Sequence, residues 1–114
     1  MSFLSRLFGG PSAMSPAAFV ADRDPGDPVL DVRTPDEYAA GHLAGAVNVD
    51  VLAPDFRQRV EELGLPAEGP VYLYCRSGNR SGQAEGVLEE MGHSGAVNVG
   101  GVDALRAAGA ETQP

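Results

Sequence analysis

One stretch decides the fold and the chemistry of this chain: Val71–Ser81, which reads VYLYCRSGNRS. Its first four residues are apolar and favour extended backbone, so they predict a buried strand. Downstream, apolar side chains from Ala84 to Met91 recur at the i, i+3, i+4 and i+7 spacing of one helix face. Cys75, the only cysteine of the chain, is therefore predicted to lie in a short loop between a strand and a helix N-terminus.

This position is typical of a reactive thiol. The first N–H groups of a helix lack intrahelical acceptors, and the helix dipole adds partial positive charge there. Arg76 and Arg80 add full positive charge. We expect these groups to lower the pKa of Cys75 and to favour a nucleophilic thiolate. The alternative is an inert buried thiol that packs like a small apolar side chain. The strand–loop–helix context and the two arginines favour the reactive thiol.

The loop after Cys75 has the composition of a compact anion cradle. Successive N–H groups from Arg76 to Arg80 can point inward and bind an anion or an ionised sulfur. Gly78 permits the positive φ that a tight curl requires, and Arg80 offers a planar guanidinium for anionic oxygens. The other polar residues of the loop can hydrogen-bond to the thiolate or stabilise the turn: Ser77, Asn79 and Ser81. For Ser81, capping of the next helix is an equal alternative.

Strand-like and helix-like segments alternate along the rest of the chain. The predicted strands are Val29–Val32, Ala46–Val49, Val71–Tyr74 and Ala96–Val99. Helices are predicted after Ser15-Pro16, after the Thr34–Glu37 capping box, around Phe56–Leu63, after the cysteine loop and around Val102–Leu105. Such alternation predicts an α/β fold with a parallel sheet covered on both faces. Ligands bind beyond the carboxyl ends of such strands, where Cys75 and Asp31 to Arg33 lie.

Length and composition limit the remaining possibilities. The 114 residues suit one domain, 14–114, after an N-terminal tail and linker of residues 1–13, and the end is expected to fray after Gly109. A single cysteine excludes an internal disulfide, and a reduced thiol predicts a cytoplasmic location. The net charge of −8, with arginine as the only cationic residue type apart from two histidines, argues against nucleic-acid binding. No apolar run is long enough to predict a membrane span.

Taken together, the motifs resemble those of single-domain rhodaneses, members of the rhodanese-like sulfurtransferase family. The matching pieces are, in order, Leu30–Arg33, Glu37-Tyr38, Gly41–Leu43, Gly45–Asn48, Tyr74–Ser81 and Gly100-Gly101. The resemblance implies a three-layer α/β/α fold with a five-stranded parallel sheet. It also implies a sulfurtransferase that moves sulfane sulfur from thiosulfate or a persulfide donor to a thiophilic acceptor, through a persulfide on Cys75. Leu105 stands where the family often has tryptophan, which concerns packing more than activity.

The resemblance also implies a role for each site residue. Cys75 would be the nucleophile, and the backbone from Arg76 to Arg80 would stabilise the persulfide. The side chains of Arg76 and Arg80 would help to bind the anionic donor. The residues expected to support the loop are Asp31, Arg33 and Ser81. The implied partners are a small anionic donor such as thiosulfate and a thiol or cyanide acceptor, with no cofactor and no metal.

Two other functions stay open at this point. The domain can be a binding or delivery module that hands its sulfur to a partner protein, since an acidic surface suits docking on a basic one. Phosphatase or arsenate reductase chemistry is disfavoured, because those relatives place one more residue between cysteine and arginine. We interpret His42 as structural, and we expect Glu37 to complete the capping box of Thr34 rather than to pair with an arginine of the loop.

Overall fold

Four parallel strands form the central sheet, and Cys75 is the last residue of one of its two inner strands. The computed structural model describes residues 14–114, so the predicted tail and linker at 1–13 lie outside the described residues. The strands are β1 (Val29–Asp31), β2 (His42–Leu43), β3 (Val47–Asn48), β4 (Val71–Cys75), β5 (Ala96–Gly101) and β6 (Thr112–Gln113). The parallel sheet has the order β3-β1-β4-β5. The carboxyl ends of β1 and β4 are therefore adjacent.

Five helices accompany the strands in the described part of the chain. They are α1 (Pro16–Asp22), α2 (Pro35–Ala39), α3 (Phe56–Glu62), α4 (Asn79–Glu90) and α5 (Val102–Ala107). The first two begin as the sequence predicts. Ser15 caps α1 with proline at the next position, and Thr34 and Glu37 form a complete capping box at α2.

The alternation of side chains along β4 divides the core into two layers. Val71, Leu73 and Cys75 face one layer, which contains the apolar residues of α3 and α4. Tyr72 and Tyr74 face the other, which contains those of α1 and α5. All five residues of β4 are buried, as expected of a strand covered on both faces. The predicted three-layer α/β/α arrangement is confirmed.

The number of strands differs from the expected five. The described part of the parallel sheet has four strands, and a separate antiparallel pair joins β2 to β6. Beside the outer edge of β5, Met14 donates one backbone hydrogen bond to Asn98 at 3.0 Å. Ser15 then caps α1 and Pro16 has no N–H to donate, so no further strand pairing follows there.

The end of the chain also departs from expectation. The sequence predicts fraying after Gly109, whereas Thr112–Gln113 pair with His42–Leu43. The sequence does not reveal this pair, because each strand has only two residues and neither shows a period. Within residues 14–114, no helix has the length and apolar character needed to cross a membrane.

Candidate active site

The sulfur of Cys75 lies at the base of the loop that follows β4, and the residue has 0% of its surface exposed. The N–H of Gly78 donates a hydrogen bond to Sγ at 2.9 Å, and the hydroxyl of Ser81 lies 3.3 Å from Sγ. Arg76, Ser77 and Asn79 are exposed. These loop residues face solvent as expected, but the sulfur of Cys75 beneath them is buried.

The surroundings of Cys75 favour its ionised form. Burial alone raises the pKa of the thiol, but hydrogen bonds from the Ser81 hydroxyl and from the amides of Ser81, Ser77 and Gly78 outweigh it. The net result is a pKa below the ordinary value of 9.0. Hydrogen bonds from the loop and the first helical turn are therefore the main source of the lowering that the sequence predicts.

Two glycines allow the loop to curl tightly. Gly78 has φ +97° and is the N-cap of α4, so the predicted need for positive φ there is confirmed. Asn79 is simply the first residue of α4, and Ser81 is not its cap. Gly101 packs directly under the loop, because a Cβ at this position would lie 2.3 Å from the Arg76 carbonyl oxygen.

The two arginines of the loop have different surroundings. Arg80 donates to both carboxylate oxygens of Glu37, at 2.7 and 3.0 Å. Glu37 also accepts from the N–H and hydroxyl of Thr34, so it completes the capping box and pairs with the loop at the same time. The expectation that it serves only the box is wrong. Arg76 forms no ion pair with any residue from 14 to 114.

Asp31 and Arg33 form a buried ion pair beneath this edge of the sheet. Arg33 Nη2 donates to Asp31 Oδ2 at 2.6 Å and to the Gly41 carbonyl at 2.7 Å. Asp31 Oδ2 also accepts from the Tyr74 hydroxyl at 2.6 Å. Among the described residues these contacts join β1 to β4 and to the segment after α2, and they reach Tyr74, the neighbour of Cys75.

Ser81 connects the sulfur to a residue that the sequence analysis missed. Its hydroxyl lies 2.7 Å from Oδ1 of Asn98 on β5. Asn98 Nδ2 donates to the Gly78 carbonyl at 3.0 Å. The available signal is a polar side chain in the otherwise apolar strand segment Ala96–Val99, just before the Gly100-Gly101 pair that adjoins the loop.

A cavity of about 220 Å³ adjoins the loop on the side of Arg76. Its charged lining residues are Arg33, Glu37, Arg76, Asp103 and Arg106. Arg33 and Glu37 are already paired, and the Arg106–Asp103 pair is long, at 3.4 Å, and exposed. Arg76 is therefore the lining cation best able to attract a small anion.

The histidines do not join the site. His42 is buried, donates Nδ1–H to the Tyr38 carbonyl at 2.9 Å and stacks on the Tyr38 ring, in agreement with its structural interpretation. His93 contacts the Pro66 carbonyl at the opposite end of the sheet. Within the described part of the chain, no group of three histidine, cysteine or carboxylate side chains is arranged to hold a metal ion.

Comparison with known proteins shows which family shares this fold. The model of the rhodanese-like domain matches residues 15–108. Thiosulfate sulfurtransferase PspE of Escherichia coli is 34% identical over 73 residues, which are 64% of this chain and 68% of that protein. Thiosulfate sulfurtransferase GlpE of Pseudomonas entomophila is 33% identical over 89 residues, 77% of each chain. A solved structure described as "rhodanese with anions from E. coli" superposes with a TM-score of 0.64 at 28% identity, over 77% of this chain and 98% of that one.

The family model covers most of the chain, and the structure has the parallel α/β sheet and the cysteine loop that the resemblance implies. At the level of the family, the relatives are sulfurtransferases. This chain belongs to the rhodanese-like domain family.

Proposed function

We propose that the protein is a thiosulfate sulfurtransferase that carries sulfane sulfur as a persulfide on Cys75. The observation that carries the proposal is the sulfur at the end of β4, with the Gly78 N–H at 2.9 Å and the Ser81 hydroxyl at 3.3 Å. Such donors stabilise a thiolate as a nucleophile and again as a leaving group. The names of the relatives PspE and GlpE support thiosulfate as the donor.

In the first half-reaction, the Cys75 thiolate attacks the outer sulfur of thiosulfate. A bond forms between Sγ and that sulfur, the S–S bond of thiosulfate breaks, and sulfite leaves with the electron pair. The donor is a dianion, so the guanidinium of Arg76, which has no ionic partner among residues 14–114, is the group that draws it to the loop. The guanidinium of Arg80 is already paired with Glu37, so we propose that Arg80 holds the loop in place rather than binding the donor directly.

In the second half-reaction, a thiolate or cyanide attacks the outer sulfur of the persulfide. The new bond joins that sulfur to the acceptor, and Cys75 Sγ leaves as a thiolate. The hydrogen bonds from Gly78 and Ser81 stabilise this leaving group. The two half-reactions need no external oxidant or reductant.

Access to the sulfur is part of the proposal, because Cys75 has no exposed surface. We propose that the exposed side chains of the loop, those of Arg76, Ser77 and Asn79, move aside when the donor binds, while the Gly78 N–H stays on the sulfur. The outer sulfur of the persulfide then lies one bond farther from the base of the loop, within reach of the acceptor. A free thiol of this kind persists in a reducing compartment, which favours the cytoplasm.

The test is formation of thiocyanate from thiosulfate and cyanide by the wild type and by Cys75→Ser. The proposal predicts turnover in the wild type and none in the variant. Equal turnover by both proteins, or none by a wild type that alkylates normally at Cys75, would contradict it. Hydrolysis of an aryl phosphate that depends on Cys75 would instead indicate phosphoryl chemistry.

The complete cover over Cys75 also supports a second function, delivery of sulfur to a partner protein that opens the loop. The net charge of −8 suits a basic partner. This function predicts rapid loading of one sulfur in a single turnover, together with slow steady-state transfer to free cyanide. Fast steady-state transfer without any partner would exclude the need for one.

A further inference from the structure

Two residues that hydrogen-bond to the Cys75 sulfur, Gly78 and Ser81, contact one side chain, that of Asn98. Gly78 donates its N–H to Sγ, and its carbonyl oxygen accepts from Asn98 Nδ2 at 3.0 Å. Ser81 Oγ lies 3.3 Å from Sγ and 2.7 Å from Asn98 Oδ1. Asn98 therefore joins β5 to the loop and to the first turn of α4 at the two points that contact the sulfur.

The orientation of the Asn98 amide is determined by its neighbours. The N–H of Gly100 donates to Oδ1 at 3.0 Å, and the Gly78 carbonyl accepts from Nδ2. In the reversed orientation, Nδ2 would face the N–H of Gly100 and Oδ1 would face a carbonyl oxygen. The backbone of Asn98 is fixed as well, because it pairs with Leu73 of β4 and donates its N–H to Glu85 at 3.2 Å.

The Ser81 hydroxyl has a single hydrogen, so it can donate to Asn98 Oδ1 or to the sulfur, but not fully to both. When Cys75 is a neutral thiol, its S–H can donate to Ser81 Oγ while Ser81 donates to Asn98. When Cys75 is a thiolate, Ser81 can turn its hydrogen to Sγ, and Asn98 Oδ1 keeps the hydrogen bond from Gly100. The network is thus satisfied in both protonation states of the sulfur.

We propose that Asn98 is a positioning residue for Cys75, which holds the Gly78 N–H at the sulfur. Without its side chain, the loop and the first turn of α4 lose their connection to β5 at both points. The Gly78 N–H would then spend less time on the sulfur, and the thiolate would be less stable. The inference rests on the proposed function only in taking Cys75 as the reacting group.

The charged groups around this network contact other atoms. Glu85 of α4 is buried and accepts only the backbone N–H of Asn98 among the described residues. Arg80 lies close enough to Cys75 and Asp50 to respond to their charges, but its hydrogen bonds go to Glu37. Arg76 is exposed. Since none of these groups hydrogen-bonds to the Asn98 side chain, its removal leaves their direct contacts in place.

The test is the rate at which iodoacetamide alkylates Cys75 as a function of pH, followed by intact mass. Asn98→Ala is expected to raise the pKa of Cys75 by about one unit, because hydrogen bonds to a charged group are worth about that much. Asn98→Ser is expected to raise it less. Asn48→Ala is the matched control, since the Asn48 amide also makes two hydrogen bonds, to the carbonyls of Asp31 and Arg33, but none near the sulfur.

A Cys75 pKa that stays the same or falls in Asn98→Ala, with the fold intact by circular dichroism, would overturn the proposal. An equal rise of the Cys75 pKa in Asn48→Ala would also overturn the proposal, because the rise would then reflect a general loosening of the fold. Should Asn98→Ala fail to fold, Asn98→Ser decides by the same criterion. In the Ser81→Ala background, Asn98→Ala should still raise the pKa of Cys75, because its effect passes through Gly78 and not through the Ser81 hydroxyl. Alkylation needs no sulfur donor, so its outcome is independent of sulfur transfer. The role of Asn98 can be disproved while the proposed function stands, and the proposed function can be disproved while the role of Asn98 stands.

Discussion

Both carboxylate oxygens of Glu37 accept hydrogen bonds from the guanidinium of Arg80, at 2.7 Å from Nη1 and 3.0 Å from Nη2. Glu37 lies in the first turn of α2, which follows β1, and Arg80 lies in the first turn of α4, which follows Cys75. The pair connects the two helix starts across the carboxyl edge of the sheet. The sequence suggests Arg80 as a ligand for the donor, but in the structure its hydrogen bonds to Glu37 connect the loop to α2.

Because of this ion pair, we expect the free energy of unfolding to depend on pH in the acid range. Hydrogen bonds from Arg80 and Thr34 lower the pKa of Glu37 from 4.5 to about 2, against an opposing effect of burial. Because the folded-state pKa is the lower one, the stabilisation is complete above the unfolded value and is lost as the pH falls toward 2. Glu37→Gln should therefore cost about 1–2 kcal/mol at neutral pH, in a partly exposed pair. The deficit should shrink near pH 2 in urea unfolding, and a deficit independent of pH would contradict the assignment.

Arg76→Ala should impair use of the donor without affecting the fold. The Arg76 guanidinium is exposed and has no ionic partner among residues 14–114, so its loss removes attraction for a dianion and little else. We expect the KM for thiosulfate to rise about tenfold, the equivalent of one charge-assisted hydrogen bond, with stability changed by less than about 0.5 kcal/mol. Arg59→Ala, which removes another exposed arginine, is the control. Equal KM values in all three proteins would rule out Arg76 as the donor's attractor.

Gly101→Ala tests the contact between β5 and the loop. The new Cβ would lie 2.3 Å from the Arg76 carbonyl oxygen and 3.1 Å from the Ser77 Cα, so the loop backbone must shift. Overpacking of this kind costs about 1–3 kcal/mol, and we expect slower sulfur loading of Cys75 as well. Gly86→Ala is the matched control on α4, where a Cβ meets nothing within 4 Å. It should stabilise the protein by about 0.5–1 kcal/mol. Normal loading by Gly101→Ala would mean that the loop position tolerates the shift.

Tyr74→Phe tests how much the buried Tyr74 hydroxyl contributes to the stability of the protein. The Tyr74 hydroxyl donates to Asp31 and accepts from the N–H of Leu43, both in buried surroundings. Its loss leaves a buried N–H without an acceptor, at a cost of about 1–3 kcal/mol. Tyr38→Phe, which removes one hydrogen bond to the Ala46 carbonyl from a half-buried ring, should cost less. Thermal unfolding measures both variants, and a Tyr74 variant as stable as the Tyr38 variant would show that water replaces the lost hydroxyl.

Much of the fold can be predicted because its signals are local. The Ser15-Pro16 cap, the Thr34–Glu37 capping box and the buried run Val71–Tyr74 all form as expected. The short antiparallel pair of β2 and β6 cannot be predicted, because it depends on contacts between residues about seventy positions apart. Within residues 14–114, only Met14 makes a backbone hydrogen bond along the outer edge of β5, because Ser15 and Pro16 begin α1 directly after it.

The site divides in the same way. Cys75, the loop amides and the positive φ of Gly78 follow from the strand–loop–helix pattern. The partner of Arg80 and the role of Asn98 cannot be predicted in this way. Glu37 lies 43 residues before Arg80, and Asn98 lies 17 residues after Ser81. Contacts at these separations are decided by strand order. The burial of the sulfur is likewise a property of the closed loop and not of its composition.

The most direct test of the account is the intact mass of the protein after incubation with thiosulfate. The account predicts a gain of the mass of one sulfur atom, confined to Cys75, reversed by cyanide and absent in Cys75→Ser. A wild-type protein that reacts with iodoacetamide at Cys75 but gains no sulfur from thiosulfate, at any donor concentration that leaves it folded, would contradict it.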